Sequence, residues 1–166
     1  MIIRDETASD AGAIFEITRL AFENHPHSER TEQFIVNALR AAGVLAVSLV
    51  AEMGGTVVGH IAFSPVTIAD GSDGWYGLGP VSVLPQFQKQ GVGKSLIRQG
   101  LSRLKASGAK GCVLVGDPGY YARFGFKNVP SLIYEGVPQE YVLALPLGKT
   151  QARGVVTFHQ AFSARC

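Results

Sequence analysis

The residues best placed to do chemistry lie between Pro80 and Ile97. Val81-Ser82-Val83-Leu84 reads as a strand closed by Pro85, Gln88-Lys89-Gln90-Gly91-Val92-Gly93 as a glycine-bearing turn, and Lys94-Ser95-Leu96-Ile97 as a helix start. That succession makes an anion site, because the first amides of a helix have no intrahelical partner and carry partial positive charge. Gly91 and Gly93 have no side chain to hold a phosphate away, and Lys89 and Lys94 either add local positive charge or stand as solvated surface residues. A pyrophosphate is the natural ligand, although glycines at such a turn also serve backbone geometry alone. Neither the three-glycine dinucleotide fingerprint nor the GxxxxGK[ST] loop occurs here, which argues against a nicotinamide enzyme and a P-loop nucleotidase.

Other reactive side chains are scattered. Glu23, His25, His27 and Glu29 form a polar segment whose default reading is a surface loop. His60 sits in an apolar strand and reads as a satisfied structural histidine, and His159 lies in the tail. Asp117 before Pro118 reads as a turn initiator, with a contact to a cationic amine as the alternative. Cys112 is mid-strand and Cys166 is the last residue, so no disulfide framework, zinc site or covalent cysteine route is expected. No metal is expected.

The chain has 166 residues, 46% of them hydrophobic and 17% charged, which suits one soluble globular domain over 1–166 with residues 145–166 packed on it as an extension. A net charge of +2 with no clustered lysines and arginines gives no reason to expect a nucleic-acid partner. Acidic residues near Met1, and the lack of an apolar run of about 18 residues, point to a protein neither secreted nor membrane-embedded, with the cytoplasm as its compartment.

The elements that must position the glycine turn follow from periodicity. Ile2 and Ile3 open a strand, and Thr7-Ala8-Ser9-Asp10 has capping-box form before a helix that buries Ala11, Ile14, Ile17 and Ala21 and ends near Phe22. A second helix is expected after Ser28, with Glu29 and Glu32 near its first turn, Phe34, Ala38 and Leu39 in the core, and Gly43 as its stop. Leu45 to Ala51 and Val57 to Phe63 should form a hairpin around Gly54-Gly55, with Trp75 to Leu84 as the next strand. Leu96, Ile97, Leu101 and Leu104 mark the helix after the glycine turn, and Gly111 to Val115 the strand beyond it. This order predicts a right-handed parallel crossover, hence a mixed α/β sheet, mostly antiparallel, flanked by helices around a central βαβ unit. A short helix at Tyr120 to Phe124 and strands at Phe126 to Val129 and Glu140 to Leu145 follow. The segment from Gly148 to Gly154 is a surface connection, and Val155 to Phe158 an edge strand or a segment packed on the core.

The run from Val81 to Gly93 resembles the signature of the GNAT superfamily of N-acetyltransferases: strand, proline, then Q/R-x-x-G-x-G/A. Tyr121-Ala122-Arg123-Phe124-Gly125-Phe126 is similar to its second hallmark, Y-x-x-x-G-F, and the order of elements over about residues 1 to 145 resembles the superfamily as well. The compact Gly116-Asp117-Pro118-Gly119-Tyr120-Tyr121 form looks like the YhbS-like bacterial branch, and where many family members carry a cofactor-contacting asparagine ahead of the tyrosine this chain has Asp117 and Pro118.

The resemblance implies acetyl-coenzyme A as co-substrate. Backbone groups of Val81, Ser82 and Val83 would pair with its pantetheine arm, and Gln88, Lys89, Gln90, Gly91, Val92, Gly93, Lys94 and Ser95 would hold its pyrophosphate. A free N–H near Ser82 or Val83 would stabilise the oxyanion. Tyr121 would be the general acid that protonates the departing thiolate, with Tyr120 as the substitute. The acceptor would be a primary amine on a small molecule or peptide, attacking directly in a ternary complex. The general base is left open by the sequence. The alternative reading is a non-catalytic acyl-coenzyme A sensor, and strand addition through the C-terminal segment is a route to a homodimer.

Overall fold

The computed structural model describes residues 1–149 and 151–166, and Thr150 of the expected surface connection lies outside them. The chain forms a mixed α/β fold with a mostly antiparallel sheet, organised as two compact units. The first comprises Met1–Ser64, Gly79–Arg103 and Gln160–Cys166, and the second Pro65–Leu78 and Leu104–His159.

In the first unit, β1 (Ile2–Asp5) pairs antiparallel with β2 (Val47–Met53), which pairs antiparallel with β3 (Thr56–Ile68) through the two-residue turn at Gly54 and Gly55. A bulge at Ala51/Glu52 interrupts that register. Next to β3 runs β4 (Trp75–Val83), whose end leads toward α3 (Val92–Ala106). The expected capping residues do appear, since Asp10 accepts from the Thr7 backbone N–H at 2.7 Å, although they hold a 3-10 turn that leads into α1 (Ala11–Phe22).

α2 (Glu32–Ala41) starts later than the sequence suggested, leaving Glu29 outside it. Its buried face is Gln33, Ile35, Val36 and Leu39, while Phe34 and Ala38 are only half-buried. The cause is that α2 packs two ways at once. Val36 joins Ile14 and Val50 in one cluster, and Ile35 and Leu39 join Ala161 in another, so the C-terminal segment claims a flank of the helix that its own periodicity does not announce.

In the second unit, β4 pairs parallel with β5 (Gly111–Val115) as Trp75↔Gly111, Tyr76↔Cys112 and Gly77↔Val113, the pairing expected of a crossover through α3. β5 pairs antiparallel with β8 (Val142–Pro146), which takes the two-residue β6 (Lys127–Asn128) on its other side. The short helix begins earlier than expected, as α4 (Pro118–Tyr121), with a 3-10 turn over Ala122–Phe124.

β9 (Gly154–Phe158) is not an edge strand. It pairs antiparallel with β3 and parallel with β7 (Leu132–Ile133), a strand that sequence patterning does not reveal. β9 therefore has partners within the chain, β7 at Gly154 and Val155 and β3 at Val156 to Phe158. The core of this unit gathers Val66, Ile68, Trp75, Val113, Leu132, Val142 and Val156.

Candidate active site

The glycine turn is built by backbone and amide hydrogen bonds rather than by charge. The Leu84 N–H donates to the Val58 carbonyl at 2.9 Å, extending the contact of β4 with β3, before Pro85–Phe87 makes a 3-10 turn. The Gln88 side-chain amide donates back to the Val83 carbonyl at 3.0 Å, and that of Gln90 to the Gln86 carbonyl at 3.1 Å. Gln88 and Gln90 thus use their side-chain donors to hold the loop, a role the spacing alone did not reveal.

The chain then turns through two left-handed residues, Lys89 at φ +61° and Gly91 at φ +88°. The first intrahelical bond at the start of α3 runs from the Ser95 N–H to the Gly91 carbonyl at 3.1 Å, so the N–H groups of Val92, Gly93 and Lys94 precede the ladder. A Cβ on Gly91 would meet no atom within 4 Å, so the turn opens outward and leaves room for an incoming group. Lys89 and Lys94 are exposed.

Val92 is 2% exposed and anchors the helix start, packing with Leu96 over Gly59 on β3. A Cβ at Gly59 would stand 2.9 Å from Val92 Cγ1 and 3.3 Å from the Ser82 carbonyl, so this glycine permits the close seating of α3 on the sheet. Of the other residues singled out, Ser82 is buried, and Val81, Val83, Gly93 and Ser95 are half-buried. These donors, with exposed lysines beside them, fit a pyrophosphate.

In the second unit Asp117 starts α4. Its carboxylate accepts from the Gly119 N–H at 2.9 Å and its carbonyl from the Tyr121 N–H at 3.0 Å, which makes it the turn initiator expected. Tyr121 lies against Gly116, where a Cβ would come within 2.7 Å of its ring, and packs at 6.0 Å from Phe126. Burial, with smaller contributions from Tyr120, Asp117 and Cys112, pushes the Tyr121 phenol up to about 12, so it stays protonated at neutral pH. Tyr120 differs, with the Arg123 guanidinium 4.6 Å from its ring centre. Cys112 is fully buried and burial pushes its thiol well up, leaving no thiolate for covalent catalysis.

The segment between α1 and α2 gathers no buried base. Glu23, His25, His27 and Glu29 are exposed, with Arg30 Nε donating to the Glu23 carbonyl at 2.8 Å and Glu29 pairing with Arg165. A polar cluster stands elsewhere in the same unit: half-buried Glu6 and Arg40 with buried Ser48 and His60. Only His60 was visible as an oddity in the sequence, and it is not satisfied as expected. Its Nε2 is bonded to Ser48, while Nδ1 has no hydrogen-bond partner among the described residues. No group of three His, Cys, Asp or Glu side chains that could hold a metal occurs among the described residues, and none of their helices is long and apolar enough to cross a membrane.

Comparison with known proteins agrees with this architecture. The sequence pattern of the acetyltransferase (GNAT) family matches residues 12–126. The Escherichia coli K12 protein described as an uncharacterized N-acetyltransferase, YhbS, is 36% identical over 128 residues, covering 76% of this chain and 74% of that one. Among solved structures, a GNAT family acetyltransferase from Brucella melitensis in complex with acetyl-CoA is 50% identical with a TM-score of 0.87, covering 97% of both chains. Escherichia coli YhbS in complex with CoA is 32% identical with a TM-score of 0.89, covering 98% of this chain and 91% of that one. With its β4 to α3 turn inside the matched region and relatives of this closeness, the chain belongs to the acetyltransferase (GNAT) family.

Proposed function

We propose that this protein transfers the acetyl group of acetyl-coenzyme A to a primary amine of a small molecule or peptide, by direct attack in a ternary complex. The observation that carries the reading is the open turn at Gly91 leading into the unladdered amides of α3, in a chain half identical to a protein solved with acetyl-CoA. Acetyl-coenzyme A supplies an activated thioester. The chain supplies the means of holding and polarising it.

Backbone groups of Val81, Ser82 and Val83 hold the pantetheine arm. The segment from Gln88 to Ser95 holds the pyrophosphate, with Gly91 and Gly93 allowing close approach and the amides of Val92, Gly93 and Lys94 donating. A backbone N–H near Ser82 or Val83 stabilises the oxyanion. Tyr121 donates the proton to the leaving thiolate, and its raised phenol pKa keeps that proton in place across the neutral range. The family pattern spans residues 12–126, which supports one working domain over 1–166. Two free cysteines fit a reducing cytoplasm.

Calorimetric titration with acetyl-CoA, wild type beside a Gly91→Glu, Gly93→Glu double variant, tests the cofactor assignment. A screen with spermidine, kanamycin, an amino-acid amide and a free-amino peptide then tests transfer, with Tyr121→Phe as control. Binding abolished in a folded double variant supports the site. Failure of the folded wild type to bind overturns the reading, and binding without turnover of any amine turns it into an acyl-coenzyme A sensor.

A further inference from the structure

The Tyr121 ring rests on a glycine. Gly116 follows β5 with its φ outside the left-handed region, so no backbone angle there calls for glycine. Space does. A Cβ built on Gly116 would stand 2.7 Å from Tyr121 Cε2 and 3.1 Å from Cδ2, with Leu114 Cδ1 at 3.0 Å. Glycines lie in the same way under Phe63 at Gly100 and under Trp75 at Gly111, but those two rings are buried and serve core packing. Tyr121 is only half-buried and ends in a hydroxyl, so its contact fixes the place of a polar atom.

Both partners of that contact are tied down within the second unit. The Gly116 N–H donates to the Tyr141 carbonyl at 3.0 Å, one step beyond the Val115↔Val142 pair of β5 with β8. The Tyr121 N–H donates to the Asp117 carbonyl at 3.0 Å, so the backbone that carries the ring is anchored at the residue next to Gly116. Around the ring stand Tyr120, Phe126 and Phe124, with ring centroids 4.9, 6.0 and 6.2 Å away. They oppose rotation of the phenol about its own axis, the one movement that would make room over Gly116 without displacing the hydroxyl.

We propose that Gly116 is a positioning residue for the transfer reaction, holding the Tyr121 hydroxyl where the leaving thiolate takes its proton. This rests on the acetyltransferase reading and on Tyr121 as its acid. With a methyl group at position 116, Cε2 must retreat by about 0.7 Å from 2.7 Å to reach ordinary contact at 3.4 Å, and a ring held against turning in place carries its hydroxyl with it. Misplacement of a reacting group by about 1 Å can cost on the order of 10²-fold in rate. The glycine thus acts through the tyrosine and touches no substrate itself.

NMR of the wild-type protein tests the geometry without any substrate: nuclear Overhauser contacts between the Gly116 Hα protons and the Tyr121 ring protons are expected, and their absence would overturn the proposal. With tyrosine carbon-13-labelled at Cζ and assigned by Tyr121→Phe, the Tyr121 resonance should be displaced in Gly116→Ala while that of Tyr134, packed against Phe158, stays in place. Kinetics with the amine found in the screen test the role. Gly116→Ala should lower kcat roughly tenfold to a hundredfold and leave the KM for acetyl-CoA unchanged. Adding Tyr121→Phe to Gly116→Ala should leave kcat no lower than Tyr121→Phe does alone, because the glycine acts only through that hydroxyl. If Gly116→Ala does not fold, Phe126→Leu loosens the same ring at another contact and should lower kcat in the same way, again with no further loss on top of Tyr121→Phe. Wild-type kcat in a folded Gly116→Ala enzyme, or losses that multiply in the double variant, would refute this inference alone. Wild-type kcat in Tyr121→Phe refutes the acid assignment and this inference with it, whereas a wild type that binds no acetyl-CoA refutes the acetyltransferase reading.

Discussion

Replacing Gly91 by alanine separates a glycine kept for a ligand from one kept for the fold. Gly91 has φ +88°, and an added Cβ would meet no atom within 4 Å. Its folding cost is therefore backbone strain, about 1–2 kcal/mol for an L-residue in the left-handed region. Gly43, which follows α2 at φ +71° and also has nothing within 4 Å, carries the same cost and has no place in the proposed site. At about 2–4 °C per kcal/mol for a chain of this length, both Gly91→Ala and Gly43→Ala should lower Tm by roughly 2–8 °C. Only Gly91→Ala places a methyl group where the pyrophosphate must approach the amides of α3. Loss of one charge-assisted hydrogen bond is worth about 1.5–3 kcal/mol, so its Kd for acetyl-CoA should rise roughly tenfold to a hundredfold. Calorimetry on the three proteins reads this directly. An unchanged Kd for Gly91→Ala, or an equal weakening in Gly43→Ala, would show that the turn does not cradle the ligand.

Gly59→Ala should act at a distance from the ligand. Its Cβ would stand 2.9 Å from Val92 Cγ1 and 3.1 Å from Leu96 Cδ1, so the side chains that seat α3 on the sheet must give way, with an expected destabilisation of about 1–3 kcal/mol by denaturant unfolding and weaker acetyl-CoA binding by calorimetry. Tyr121→Phe keeps the ring packing and removes the proton donor, so stopped assays of thiol release should show kcat down by roughly 10²-fold with the KM for acetyl-CoA little changed. Because the folded-state pKa of Tyr121 is raised to about 12, its contribution to stability is full below pH 10 and is lost as pH rises from 10 toward 12. Alkaline unfolding curves of Tyr121→Phe should therefore be flatter than those of wild type. Glu6 has the opposite sign. Burial raises its pKa, but hydrogen bonds with His60, Arg40 and Ser48 outweigh that and lower it. Its stabilisation is present above the ordinary glutamate range and is lost as pH falls, so Glu6→Gln should flatten the acid unfolding profile.

The sequence exposed what is local. A proline-closed strand, two glycines and an apolar helix face are contiguous, and the β4 to α3 turn, the parallel partner β5 and the Asp117 turn all appeared where expected. What it hid depends on partners far along the chain. The buried face of α2 differs from its periodicity because Ile35 and Leu39 pack on Ala161, and β9 reads as an edge because nothing near Val155 announces the two residues of β7. The interhelix segment draws attention by its acids and histidines, yet these are exposed and tied to surface partners such as Arg30 and Arg165.

The polar cluster is the instructive case. Glu6, Ser48 and His60 lie far apart along the chain, and each alone reads as ordinary: an acid before a helix, a serine in an apolar strand, a histidine with a partner of its own. Only the antiparallel register brings them together, and only burial makes the arrangement costly enough to mean something. An unpartnered polar atom in an apolar interior costs about 1–3 kcal/mol, and His60 Nδ1 and Ser82 Oγ are among the buried side-chain atoms with no hydrogen-bond partner among the described residues. Neither atom has a hydrogen bond to lose, so its burial opposes stability rather than supporting it. A His60→Leu, Ser82→Ala double variant should accordingly be as stable as wild type or more so by denaturant unfolding. A markedly less stable variant would show instead that the bond between His60 Nε2 and Ser48 Oγ holds the sheet together.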